Sequence, residues 1–90
     1  MAHTVREKAK LVNRVKRIRG QIEAVERALD SDIGCTDMLH RLAAVRGAIN
    51  GLMAKVIEDH IRYHVANPKL AADRETASEE LIDVVNSYLR

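Results

Sequence analysis

The sequence predicts an all-α protein of three helices, in which the first two are long and pair as an antiparallel hairpin. Two segments repeat apolar residues at alternating steps of four and three, the pattern of helices that pack lengthwise against other helices. Neither segment contains proline, since the one proline is Pro68. The apolar residues are mainly Ala, Leu, Val and Ile, and both aromatic residues are Tyr. We therefore expect residues 1–90 to form a single helical domain.

The first predicted helix, α1, runs from about residue 5 to residue 29. Thr4 can cap it, and Glu7, three positions later, completes a capping-box pattern. A turn should follow at Asp30, Ser31, Asp32 and Gly34. The apolar seam of α1 consists of Leu11, Val15, Ile18, Ile22, Val25 and Leu29.

The second predicted helix, α2, spans about residues 36–65 and is the longest element. At ~1.5 Å per residue, both helices reach roughly 35–45 Å, too long to bury their apolar stripes within one short chain. We therefore expect a dimeric four-helix bundle, which would cover both seams. The seam of α2 consists of Met38, Leu42, Val45, Ile49, Leu52 and Val56, and a second row adds Leu39, Met53, Ile57 and Ile61.

The third predicted helix, α3, covers about residues 74–89 and is shorter and rich in acidic residues. Pro68 disfavours helix at Asn67, so α2 should end shortly before it. We expect α3 to pack on the hairpin or on a neighbouring subunit. Its apolar residues are Leu81, Ile82, Val85, Tyr88 and Leu89.

No apolar run approaches the ~18 residues that a membrane span needs, and the N-terminus is too polar for a signal peptide. We therefore expect the chain to remain in the cytoplasm, without a membrane partner. In that compartment the lone cysteine, Cys35, should be a reduced thiol rather than half of a disulfide.

Positive charge is concentrated in α1. The net charge is only +2, but residues 1–19 contain seven Lys and Arg residues and a single acid, Glu7. Pairing of Glu with Lys at a spacing of four residues is largely absent there, so a polyanion should relieve the repulsion. An arc beside the apolar seam contains Arg6, Lys10, Arg14 and Arg17, with Lys8 and Arg19 on the other side and Lys16 facing away.

Four residues have side chains that bind metal ions: His3, Cys35, His60 and His64. Two histidines four residues apart can hold one ion from a helix face, although surface histidines at that spacing are common. Cys35 and His60 would lie ~38 Å apart along one helix. An antiparallel dimer would bring the thiol of one subunit to the imidazoles of the other, so the site would exist only in the oligomer.

His3 adds a chelating group at the N-terminus. Whether or not Met1 is removed, the terminal amine, backbone nitrogen and His3 imidazole suit nitrogen-preferring ions such as Ni(II) or Cu(II). The alternative is a frayed terminus without a ligand role.

No motif of catalysis is present. The sequence lacks a Gly-rich phosphate loop, G-x-S-x-G and H-E-x-x-H. Glu58, Asp59 and His60 are interpreted as charged residues near the exposed end of a helix. We therefore do not expect an enzyme.

Most of the chain resembles one family of bacterial regulators. The run RVKRIRGQIEAVERAL, then Cys35, then RLAAVRGAINGLMAKVIEDHI, resembles the small helical repressors that sense copper, nickel and cobalt, or formaldehyde. The resemblance implies an all-α subunit that assembles as a dimer of dimers, binds operator DNA and releases it when the effector binds. It also implies a sensor site with cysteine from one subunit and residues of the second helix from another.

The subtype depends on a few positions. Copper sensors of this family have a second cysteine where this chain has His64, and formaldehyde sensors have an N-terminal proline where this chain has Ala2. The set His3, Cys35, His60 and His64 is similar to the nickel and cobalt sensors, in which the terminal amine can add a ligand. Arg14 and Arg17 match DNA-binding positions of those relatives, and charge and facing add Lys10, Lys16 and Arg19.

The sequence thus predicts a homotetrameric repressor that Ni(II) or Co(II) releases from double-stranded operator DNA, controlling a metal exporter. Zn(II) is a further ion to be considered. A formaldehyde-responsive repressor with Cys35 as the reactive thiol is the alternative. A third hypothesis, from a different class, is a metal buffer or helical adaptor without an operator.

Overall fold

The computed structural model describes residues 5–66 and 71–88. In chain order the elements are α1 (Val5–Asp30), α2 (Cys35–His60), a π-helical turn (Ile61–Val65) and α3 (Ala71–Tyr88). No β-strand occurs in these ranges, and the prediction of an all-α chain with three helices is confirmed. Thr4, Pro68 and Leu89, which entered the sequence predictions, lie outside the described residues.

A Schellman motif ends α1. Asp32 has a positive φ of 57°, and the next backbone N–H, that of Ile33, donates to the carbonyl oxygen of Ala28 at 3.5 Å. This bond spans six residues and satisfies a carbonyl group that the helix end would otherwise leave open. The Met38 N–H then donates to the Gly34 carbonyl oxygen at 3.1 Å, which makes Gly34 the N-cap residue of α2.

The described chain divides into two compact units, residues 5–53 and residues 54–88. In the first unit, the Arg14 guanidinium lies 3.6 Å from the point that a β-carbon on Gly51 would occupy. Ile18 of α1 lines a common cleft with Gly47 of α2. Because earlier residues of α1 meet later residues of α2, the two helices run antiparallel in this unit.

The core of the first unit is thin. Ile18 and Ala28 are its buried apolar residues. Val15 and Ile22 belong to the predicted seam of α1, yet each is 50% exposed. Leu42 and Ile49 on α2 are 46% and 40% exposed. A single chain therefore leaves much of both apolar seams at its surface.

The second unit is built around the end of α2. The Ala66 N–H donates to the Ile61 carbonyl oxygen at 2.7 Å, a five-residue step that defines the π-helical turn. The periodicity predicts α-helix as far as residue 65, but Ile61–Val65 are π-helical. The turn packs against α3, which begins at Ala71 rather than at about residue 74.

Within the ranges that the structure describes, no helix combines the length and the apolarity that a bilayer crossing requires.

The positive φ of Asp32 yields a prediction about stability. Glycine adopts this conformation without steric cost, so Asp32→Gly should stabilise the fold by about 0.5–1 kcal/mol, while Asp32→Val should destabilise it by about 1–2 kcal/mol. Thermal unfolding at one protein concentration measures both. Asp30→Gly is the matched control, because Asp30 is helical and glycine there should destabilise. Equal effects of the two glycine substitutions would contradict the prediction.

Candidate functional site

Two of the predicted metal ligands lie side by side in the second unit. His60 is the last residue of α2, and His64 lies in the π-helical turn. Their ring centroids are 5.3 Å apart, with the planes inclined by 41°. Two imidazoles bound to one ion, with metal–nitrogen distances of ~2.0–2.1 Å, have ring centroids roughly 5 Å apart. The separation of the two ring centroids therefore matches that of two imidazoles bound to one ion.

The orientation of the His60 ring is set by α3. Its Nε2 lies 2.8 Å from the carbonyl oxygen of Ala77, which is buried. Because a carbonyl oxygen only accepts hydrogen bonds, Nε2 carries the hydrogen and donates. In the neutral imidazole, Nδ1 then holds the lone pair. A backbone carbonyl that orients a histidine in this way is a common partner of metal-binding imidazoles.

A cavity of about 310 Å³ lies between the histidine pair and α3. Sequence reasoning did not assign any residue of α3 to this place. Its lining positions on α3 are spaced by three, four and seven residues, which is one face of a helix, but nothing in the sequence indicated that this face turns toward the histidines. The lining residues are His60, His64, Asp73, Thr76, Ala77 and Glu80.

The burial of Asp59 differs from what the sequence predicts. The sequence predicts a charged residue near an exposed helix end, but Asp59 is 1% exposed. It follows Leu52 and Val56 at steps of seven and three, so it continues the apolar seam toward the interior. Neither carboxylate oxygen has a hydrogen-bond partner, and the Lys55 ammonium lies 3.4 Å from Oδ1. Lys55 therefore supplies the positive charge that balances the buried Asp59 carboxylate.

The other two predicted metal ligands are Cys35 and His3. Cys35 is a free, exposed cysteine and the first residue of α2. His3 lies outside the described residues. No three His, Cys, Asp or Glu side chains of the described part of one chain form a group that could hold an ion. The four-ligand set therefore stays a prediction.

The predicted DNA-binding residues all lie on α1 with exposed side chains. Two of them, Arg14 and Arg17, line a cleft of about 220 Å³ together with Gln21 of α1 and Gly47 and Gly51 of α2. The ion pairs among the described residues involve Lys55 and Arg62, and none involves these arginines. The full predicted set is Lys10, Arg14, Lys16, Arg17 and Arg19.

An all-helical chain with an arginine-rich helix and a histidine pair has the features of a helical regulator that binds an effector. A family described as metal-sensitive transcriptional repressor matches residues 7–87. The chain therefore belongs to the metal-sensitive transcriptional repressors.

One curated relative is the transcriptional repressor RcnR of Citrobacter koseri, which is 39% identical over 90 residues and covers the full length of both chains. A solved structure of the formaldehyde-responsive regulator FrmR, the E64H variant from Salmonella enterica serovar Typhimurium, is 39% identical. It covers 96% of this chain and 98% of that chain, with a TM-score of 0.87.

Two further structures share the fold. The copper-sensing repressor CsoR with Cu(I), from Geobacillus thermodenitrificans NG80-2, is 26% identical and covers 100% of this chain and 94% of that chain, with a TM-score of 0.90. The nickel-responsive transcriptional regulator InrS is 27% identical and covers 96% and 93%, with a TM-score of 0.74. These relatives respond to different effectors, so likeness alone does not identify the effector of this chain.

The Asp59–Lys55 pair yields a second prediction. Lys55→Met should destabilise the protein by about 2–3 kcal/mol, because it leaves a buried carboxylate without its counter-charge. Adding Asp59→Asn to the same variant should recover most of the loss. Thermal unfolding at a fixed protein concentration measures this cycle.

Glu58→Gln is the control, because Glu58 is the more exposed partner of Lys55, 3.9 Å away. It should change the stability by less than about 1 kcal/mol. If Lys55→Met is as stable as the wild type, Lys55 does not balance the buried carboxylate.

Proposed function

We propose that this protein is a cytoplasmic repressor that Ni(II) or Co(II) releases from its operator DNA, and that it controls a metal exporter. The observation that carries the proposal is the pairing of His60 and His64, with ring centroids 5.3 Å apart and with the His60 ring oriented by Ala77. The family is one of transcriptional repressors, and we assign the chain no enzymatic role.

The chemistry of the ligands favours these ions. Imidazole nitrogen suits nickel, cobalt and zinc, whereas soft thiolate ligands favour Cu(I). The proposed set holds one thiol, Cys35, and three imidazoles, those of His3, His60 and His64. His60 would bind through Nδ1, since Nε2 donates to Ala77. Thiol and imidazole must lose protons to bind, so affinity for the ion should rise with pH.

We place the complete site between subunits of a homotetramer. Large apolar side chains of both long helices are exposed in the single chain, among them Val15, Ile22, Leu42 and Ile49. Monomeric proteins rarely leave contiguous apolar surface of this kind open to water. In an antiparallel dimer, Cys35 at the start of one α2 would meet the histidine pair at the end of the other α2.

Release of DNA requires coupling between the ion and α1. In the proposed mechanism, His3 and the terminal amine, which precede α1 in the chain, would bind the ion, and this binding would shift or stiffen the basic helix. A tenfold loss of DNA affinity needs a coupling free energy of ~1.4 kcal/mol. The ligand residues would coordinate the ion, and the basic residues of α1 would contact DNA.

The effector can be identified by titrating the protein–DNA complex with Ni(II), Co(II), Zn(II), Cu(I) and formaldehyde in parallel. Ni(II) and Co(II) should each lower the affinity of the protein for the DNA upstream of its own gene, here called upstream DNA, about tenfold or more. Fluorescence anisotropy measures the affinity. Cys35→Ala and His64→Ala should abolish the response, while His40→Ala, at another exposed histidine, should leave it intact. Release by Cu(I) alone would contradict the proposal.

A formaldehyde-responsive repressor is the second candidate. Cys35 is an exposed free thiol, and a formaldehyde-responsive regulator is among the similar structures. In that case formaldehyde, and not the ions, should release DNA in the titration above. Mass spectrometry of the treated protein should then find an adduct on Cys35. An absence of binding to any upstream DNA would instead favour the metal buffer or adaptor.

Subunit mixing tests whether the site is shared. A dimer of one Cys35→Ala chain and one His64→Ala chain would contain one site without either ligand and one intact site. Co-refolded mixtures should therefore recover Ni(II) binding, with at most about half of the wild-type sites per mixed dimer, although each variant alone binds weakly. Isothermal titration calorimetry gives the stoichiometry. If mixing recovers no binding, the thiol and the imidazoles do not meet across subunits.

A further inference from the structure

The cleft in the first unit has the size and lining of an anion site. Its volume is about 220 Å³, and none of its lining residues is acidic. A water molecule has ~30 Å³ in the liquid, so a phosphate group with bridging waters fits. Arg14, Arg17 and Gln21 reach the cleft from α1, at spacings of three and four residues that belong to one helix face.

The donors in the cleft match a phosphate. Each guanidinium presents N–H groups in a planar fork that fits phosphate oxygens, and the Gln21 amide adds further donors. Arg14 and Arg17 have no carboxylate partner among the ion pairs of the described residues. Two neighbouring positive charges without an internal counter-ion attract an anion from outside.

The floor of the cleft contains two glycines of α2, Gly47 and Gly51. Nothing lies within 4 Å of a β-carbon placed on Gly47, and on Gly51 the nearest atom is Arg14 Nη1 at 3.6 Å. Packing within one chain therefore does not require glycine at either position. Glycine inside a helix costs about 0.5–1 kcal/mol relative to alanine. Close approach of a ligand to the backbone is a reason to keep it.

We infer that this cleft binds one phosphate of the DNA backbone, held by Arg14, Arg17 and Gln21 over Gly47 and Gly51. The inference rests on the DNA-binding function proposed above and adds Gln21 and the two glycines to it. DNA is the source of the phosphate because exposed Arg6 and Lys10 lie on the same arc of α1 as Arg14 and Arg17 and can hold neighbouring phosphates. The contact positions the protein on DNA and reads no base.

Two substitutions in the full-length protein test the cleft. Gly47→Leu fills it with an aliphatic side chain, and Gln21→Glu places a carboxylate of nearly the same size where the phosphate would bind. Each should weaken binding to upstream DNA and to unrelated DNA by the same factor, roughly tenfold at ~0.1 M salt. The slope of log affinity against log salt should fall by about 1. Fluorescence anisotropy at several salt concentrations measures both.

Matched controls exist for both substitutions. Gly20→Leu makes the same change on α1 outside the cleft, where nothing lies within 4 Å of the new β-carbon. Asn86→Asp makes the same change of charge as Gln21→Glu at an exposed position on α3. Both controls should bind DNA as the wild type does, within about twofold. Thermal unfolding and Ni(II) binding should be unaltered in Gln21→Glu, which separates a lost contact from misfolding.

Several results would overturn the inference. If both cleft variants bind DNA as tightly as the wild type, the cleft does not contact a DNA phosphate. A loss of affinity confined to upstream DNA would indicate a base contact instead. A changed oligomeric mass of Gly47→Leu would mean that a second copy of the chain occupies the cleft. Inorganic phosphate at constant ionic strength should not displace DNA from the wild type. If inorganic phosphate displaces DNA from the wild type but not from Gly47→Leu, the cleft binds free phosphate.

The outcome is distinguishable from failure of the proposed function. If wild-type DNA binding responds to Ni(II) while both cleft variants bind DNA normally, the repressor function stands and the phosphate site fails. If the wild type binds no DNA, the proposed function itself fails.

Discussion

A single hydrogen bond, from His60 Nε2 to the carbonyl oxygen of Ala77, organises the second unit. It joins the end of α2 to α3, and it leaves Nδ1 as the nitrogen that can bind an ion. The π-helical turn then carries His64 to within 5.3 Å of the His60 ring. π-helical turns inside longer helices frequently occur at functional sites. The histidine pair, the turn that contains His64 and one face of α3 therefore lie around the same cavity.

Asp59, the residue before His60, is a buried carboxylate in this unit. A buried carboxylate without hydrogen-bond donors is unfavourable, and an ion pair offsets only part of that cost. Lys55 supplies the counter-charge from one turn earlier on the same helix. Glu58 instead stays exposed and pairs with Arg62 at 2.9 Å. Neighbouring acidic residues thus have different environments because only one of them lies in phase with the apolar seam.

The two compact units carry different parts of the proposed function. Residues 5–53 contain the basic cleft, and residues 54–88 contain the histidine pair. α2 belongs to both, since it runs from Cys35 to His60. In the proposed function, the apolar residues that one chain leaves exposed on α1 and α2 form the surface through which the subunits assemble. In the proposed function, assembly also brings the thiol at one end of α2 to the imidazoles at the other end of a neighbouring α2.

The sequence by itself determined the three helices, the two apolar seams, the basic α1, the close spacing of His60 and His64, and the family. These features follow from residue order and the 3.6-residue helical period, both of which are local. The same period puts Asp59 in phase with the apolar seam of α2. Only the tertiary structure decided that α2 ends in a π-helical turn, that Ala77 orients His60, and that Gln21 lines one cleft with Arg14 and two glycines. Each of these features depends on which segments of the chain pack against each other, and those segments are often distant in sequence. Helical periodicity carries no information about that packing.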